Sequence, residues 1–229
     1  TDLNTGNNNT SHQVVSSNSN SSSTYDTGAY AVSTSVSNKA REKYTTLQGN
    51  GKDDVTVMLY VCGTDLEGQG GAATADINEI LHGEIADNVN VIMETGGTKT
   101  WRNTVISGTT NQRYRLTNDG LELLEDNMGR LSMVKPTTLS DFIRFSRTQY
   151  PADRYMLILW DHSAGSLTGY GYDQYFQNDS MTLDELSTAL KNGGCKFDFI
   201  GFDACLMGTF ETAIALEPYA DYLIASEEV

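Results

Sequence analysis

Apolar residues along this chain repeat in two rhythms. The first is the short unbroken run. Residues 55–62 read Val-Thr-Val-Met-Leu-Tyr-Val-Cys and close on Gly63. Residues 89–93, 155–160, 197–202 and 221–225 are runs of the same kind. Their length and their β-branched and aromatic content predict strands buried on both faces, as in a parallel sheet. The second rhythm is helical. Ile77, Ile80 and Leu81 share a face of residues 72–85, and Leu139, Phe142, Ile143 and Phe145 share a face of residues 138–150, which Pro151 ends. Thr182 with Glu185 three residues on predicts a capping box, and Gly193-Gly194 stops the helix it opens. Residues 206–216 predict a last helix that ends before Pro218.

Two stretches break this alternation. Residues 68–71, Gly-Gln-Gly-Gly, predict a loop. Residues 101–124 place Val105, Ile106, Tyr114, Leu116 and Leu121 among polar neighbours, with turn signals at Ser107-Gly108 and Asn118-Asp119-Gly120. That pattern predicts short antiparallel strands, inserted or at a sheet edge. Strands alternating with helices of this length give an α/β fold, a mostly parallel sheet with helices on both faces. Such sheets bind ligands beyond the carboxyl ends of their strands.

Composition changes the picture at the N-terminal end. Up to about Ser37 the chain is mostly Asn, Ser, Thr and Gly. Too little apolar surface is available there to offset the entropy of ordering, so a flexible, exposed tail is expected. It serves either as a spacer from a cell envelope or as a plain linker. The division read from sequence is a low-complexity tail and approach over residues 1–50 and one folded domain over residues 51–229. The formal charge of −15 excludes a nucleic-acid partner, which requires a basic face. No apolar run is long enough to span a bilayer. Three cysteines without a CxxC pair form neither a disulfide scaffold nor a zinc ribbon.

The strand ends supply candidate chemistry. The run 155–160 leads into Asp161-His162-Ser163, and the run 197–202 leads into Asp203-Ala204-Cys205. A histidine and a cysteine thus leave core strands on one rim. An imidazole beside a thiol favours the thiolate and shuttles its proton. The helix expected after Cys205 would lower the thiol pKa further. Cys62 also ends a core strand, so topology alone does not choose between the two. Cys195, in a loop after Gly193-Gly194, has neither a strand end nor a following helix.

The segments Leu157-Ile158-Leu159-Trp160-Asp161-His162 and Phe202-Asp203-Ala204-Cys205-Leu206-Met207-Gly208 resemble the histidine and cysteine motifs of clostripain-like cysteine peptidases, in the caspase-like clan. Gly63-Thr64-Asp65-Leu66-Glu67, residues 179–186 and the end of the chain from Ile224 to Glu228 are similar to that family as well. The resemblance implies a three-layer α/β/α sandwich that this chain leaves incomplete at its C-terminal side. It implies an endopeptidase with a Cys205–His162 dyad. The backbone N–H groups of Cys205 and Ser163 would hold the oxyanion. The implied substrate is a peptide or protein cut after Arg or Lys, read by an acidic pocket. Asp203 lines that pocket or caps the following helix; Glu227 and Glu228 are further candidates. The alternative is an inert adhesion module on the same scaffold at a bacterial cell surface. The implied location is extracellular or attached to the envelope, and the implied state is a monomer.

Three features depart from the family pattern. Ser163 stands where a glycine is usual, no Lys or Arg occurs from Ser163 to Leu190, and the chain ends at Val229 soon after the last strand. Calcium is the one candidate cofactor, through carboxylates such as Asp65 with Glu67 or Asp173 with Asp179. The glycines at residues 68–71 lack the Lys-Ser/Thr of a phosphate loop. The lone His12 and His82 have no second ligand at metal spacing.

Overall fold

The computed structural model describes residues 37–177 and 179–229, residue 35, and the backbone of 25–26 and 31–32. The chain divides into two units, Thr1–Glu42 and Lys43–Val229. In the first, β1 (Tyr25–Asp26) and β2 (Ala31–Val32) pair antiparallel. The expected tail otherwise lies outside the described residues.

The second unit holds the sheet. Its strands are β3 (Val55–Cys62), β4 (Val89–Gly96), β5 (Gln112–Thr117), β6 (Gly120–Glu125), β7 (Arg154–Trp160), β8 (Phe197–Asp203) and β9 (Ala220–Ile224). They form one seven-stranded sheet in the order β6-β5-β4-β3-β7-β8-β9. From β4 to β9 all neighbours run parallel, while β5 and β6 form an antiparallel hairpin on the edge beyond β4. The period of two appears directly in the core. On β3, Met58, Tyr60 and Cys62 face one layer, and Leu59 and Val61 the other. The first layer is covered by α3 (Pro136–Gln149), α4 (Leu183–Gly193) and α5 (Phe210–Leu216), through Leu139, Phe142, Ile143, Leu186, Leu190 and Leu216. The second is covered by α2 (Ala72–His82) through Ala73 and Ile77. The fold is the three-layer α/β sandwich that the alternation of runs implied.

Four local expectations change. Residues 68–71 are not a loop: α1 (Thr64–Gly70) continues almost to α2, and Gly71 at φ +69° makes the break. Only a residue without a side chain adopts that angle at little cost. Val105 and Ile106 are not in a strand, because the Asn103 side chain accepts both their N–H groups and curls the chain into a turn. The last helix begins at Phe210 rather than Leu206, capped by Thr209. Asp203 therefore caps no helix. By contrast, the capping box at Thr182 forms with both of its hydrogen bonds, and Gly194 ends that helix in the left-handed region.

The order of strands fixes where chemistry can sit. After β3 the chain turns to β4 on one side; it later returns to place β7 on the other. Loops from β3 and β7 thus diverge at their carboxyl ends and leave a crevice between them, the usual ligand position in such sheets.

Candidate active site

Parallel pairing sets the two candidate residues just beyond the ends of adjacent strands. Trp160 on β7 pairs with Asp203 on β8, and the Asp161 N–H donates to the Asp203 carbonyl at 3.3 Å. His162 and Cys205 each lie two residues beyond that pair, in the loops that leave β7 and β8, strands spaced about 4.8 Å apart. Both are partly exposed on the rim.

Burial separates the three cysteines, all of them free thiols. Cys62 is fully buried, and its loss of solvation pushes the thiol well above its ordinary value. Cys195 is also buried, and burial pushes it up to about 12. Both stay protonated and shielded, which makes them inert. Cys205 is the one thiol within reach of solvent. The helix expected to lower its pKa is not there: α5 starts five residues later and is short. Leu206, directly after Cys205, turns the chain instead, at φ +60°.

His162 is held from behind and from one side. Behind it, the buried Asp161 carboxylate accepts the His162 N–H at 2.5 Å and the Tyr172 N–H at 2.7 Å. Burial pushes this carboxyl well up, against the hydrogen bonds that Cys62 and the two N–H groups offer its charged form. To the side, His162 Nε2 lies 2.9 Å from Asp65 Oδ1 at the start of α1. The hydrogen bond from His162 holds the Asp65 carboxyl below its usual range. Sequence reading missed this contact and placed Asp65 among calcium candidates.

Ser163 takes an ordinary negative φ, so the position does not require glycine. Its hydroxyl accepts from the Gly165 N–H and donates to the Gly169 carbonyl. Neighbouring N–H groups are committed: that of His162 to Asp161, and that of Leu206 to the Glu228 carbonyl at 3.1 Å. Among the described residues the N–H groups of Ser163 and Cys205 donate to no protein acceptor. Two free donors on one rim are what an anionic oxygen requires.

The end of the chain is tied to the cysteine loop. The Leu206 bond to Glu228 is joined by one from the Gly208 N–H to the Ser226 carbonyl at 2.7 Å. Glu227 and Glu228 are thereby carried beside Cys205, both exposed. Asp203 is exposed two residues before Cys205; desolvation, then the nearby Asp76, push its carboxyl up. None of these carboxylates is paired with a cation among the described residues.

The other candidate carboxylates are engaged elsewhere. Glu67 is buried and accepts from the Thr74 N–H and hydroxyl and from the Arg102 N–H. Asp173 is buried and accepts the N–H groups of Met133 and Tyr175. Asp179 pairs with Lys135 at 2.5 Å. Among the described residues no three metal-ligating side chains gather. His82 is spent on the Asn78 carbonyl of its own helix.

Residues 59–229 match the profile of the Clostripain family. Clostripain of Hathewaya histolytica is 32% identical over 123 residues, 46% of this chain and 22% of that protein. A secreted cysteine protease from Bacteroides thetaiotaomicron, solved with an irreversible peptide inhibitor, superposes with a TM-score of 0.65 at 26% identity. It covers 77% of this chain and 49% of that one. An inactive zymogen protease from Parabacteroides distasonis gives a TM-score of 0.59 at 28% identity, over 77% of this chain and 49% of its own. The chain thus spans about half the length of these solved structures.

Proposed function

The chain belongs to the clostripain family, and on that premise we propose that it carries the reacting groups of a cysteine endopeptidase, with Cys205 as nucleophile and His162 as its acid–base partner. The observation that carries this reading is the one accessible thiol, leaving a strand next to that of His162, with two uncommitted N–H groups beside it. The Cys205 thiolate attacks the peptide carbonyl carbon, and the C=O π pair moves onto oxygen. The N–H groups of Ser163 and Cys205 hold that oxygen. His162 gives its proton to the leaving amine as the C–N bond breaks, leaving a thioester. Water then attacks the thioester, His162 takes a proton from it, and the thiolate departs.

The substrate class follows from charge. Asp203, two residues before Cys205, and Glu227 and Glu228, on the segment tied to Leu206 and Gly208, are exposed and have no cation partner among the described residues, which suits a substrate side chain ending in guanidinium or ammonium. A cation bound there favours the ionised form of Asp203 against the desolvation that opposes it. Cleavage after Arg or Lys is therefore the specificity we assign. No helix among the described residues is long and apolar enough to cross a membrane. Secreted relatives support action outside the cell.

The test uses the intact protein and peptides with Arg, Lys or Ala before the scissile bond. We expect hydrolysis after Arg or Lys, and a loss in kcat on the order of 10³-fold or more in Cys205→Ala. Hydrolysis unchanged by Cys205→Ala would falsify the assignment of the nucleophile. Equal rates on the Ala peptide would remove the acidic pocket from the account.

A further inference from the structure

Asp65 is placed unlike any other carboxylate of this unit near the rim. Glu67 and Asp161 are buried, and backbone N–H groups occupy them. Asp65 is about as exposed as His162, 42% against 41% by side chain. Beyond its own helix, where its own N–H and Thr64 reach it, its carboxylate contacts only the loop after β7 among the described residues. The backbone is bent to put it there. Thr64, fully buried and β-branched, sits at φ +47° in the left-handed region. That is a strained position for such a residue, costing about 1–3 kcal/mol. The strain lies at the carboxyl end of β3, directly across the crevice from β7.

The nitrogen facing Asp65 is Nε2, at 2.9 Å. Among the described residues Nδ1 has no partner.

We propose that Asp65 is a positioning residue for His162: it holds the ring through Nε2 and leaves Nδ1 as the nitrogen that exchanges a proton with Cys205 and the leaving amine. This rests on the roles given to Cys205 and His162 above. The carboxylate accepts the Nε2–H hydrogen bond throughout and never takes the proton. Its hydrogen bond fixes the ring plane, so proton transfer starts from an oriented donor. Acting through His162, Asp65 should alter the chemical step and leave substrate binding alone.

The experiment compares Asp65→Asn and Asp65→Ala with the wild-type intact protein. The measurements are kcat and KM on an Arg peptide, the rate of Cys205 alkylation by iodoacetamide, and the melting temperature. We expect kcat to fall about 10-fold in Asp65→Asn and further in Asp65→Ala, since Asn keeps an oxygen but no charge. KM should stay within about twofold, and alkylation should slow in parallel with kcat. A change confined to KM and melting temperature would make Asp65 structural and overturn the proposal. So would unchanged kcat and alkylation while Cys205→Ala is inactive, which leaves the peptidase reading standing. Full activity in Cys205→Ala would instead remove the reading beneath it.

Discussion

Cys62, Cys195 and Cys205 are the same side chain in different surroundings, and surroundings alone separate them. The sequence offered Cys62 and Cys205 equally, as residues that end core strands. Burial of Cys62 in the layer under α3, α4 and α5 leaves Cys205 the more accessible, and burial is a property of strand order rather than of spacing. His162 and Cys205 stand out in the sequence because both sit in short distinctive runs after apolar strands. Asp65 does not. Its contact with His162 joins residues 97 positions apart and depends on β3 lying next to β7 and on a left-handed Thr64. No propensity announces a threonine at positive φ. The support behind His162 is equally non-local. Gly171 sits at φ +90°, where a Cβ would come within 2.5 Å of Val134 Cγ1 and 3.1 Å of Asp161 Oδ2. We expect Gly171→Ala to cost about 2 kcal/mol or more in stability, by urea denaturation, because neither the angle nor the space accepts a methyl group. Activity should fall with it, as the Asp161 clamp on the His162 N–H shifts.

At the scale of elements, boundaries were read well wherever the cause is local. The Thr182 box and Gly194 are such a case: a hydroxyl, a glutamate three residues on and a glycine suffice. Replacing Thr182 with Ala should cost about 1 kcal/mol, read as a lower denaturation midpoint with an unchanged slope. Boundaries were misread where distant parts intervene. Residues 206–216 have helical spacing throughout, yet the first of them stay open because Leu206 and Gly208 bond to Glu228 and Ser226. The glycines of residues 68–71 signal a loop, but Glu67 ties α1 to Thr74 and Arg102 and keeps the helix going.

At the scale of the molecule, the sheet buries an ion pair on the side covered by α3. Glu94 on β4 is fully buried and pairs with Arg113 on β5 at 2.7 Å; Arg113 also reaches Glu125 and Asp141 and lies over Phe145. Among the described residues Glu94 Oε1 has no hydrogen-bond partner. Burial pushes Glu94 up to about 7, with Arg113 opposing. A carboxyl raised on folding stabilises the fold in its protonated form. That contribution is full below about 4.5, its ordinary value, and is lost as pH rises through about 7. We therefore expect thermal stability of the wild type to fall across this window relative to Glu94→Gln, whose curve should be flatter. Parallel curves for the two proteins would mean that Arg113 keeps Glu94 ionised throughout.

The strand order also sets a timetable. Asp65, His162 and Cys205 leave β3, β7 and β8, elements that adjoin in space and are widely spaced along the chain. Closing such distances is slow compared with forming any single helix. While the chain is being made, β3 waits for β7, and β7 for β8. Until β8 is in place His162 and Cys205 share no rim. On the roles proposed above, a nascent chain has no means of cutting its neighbours before β8 has joined β7.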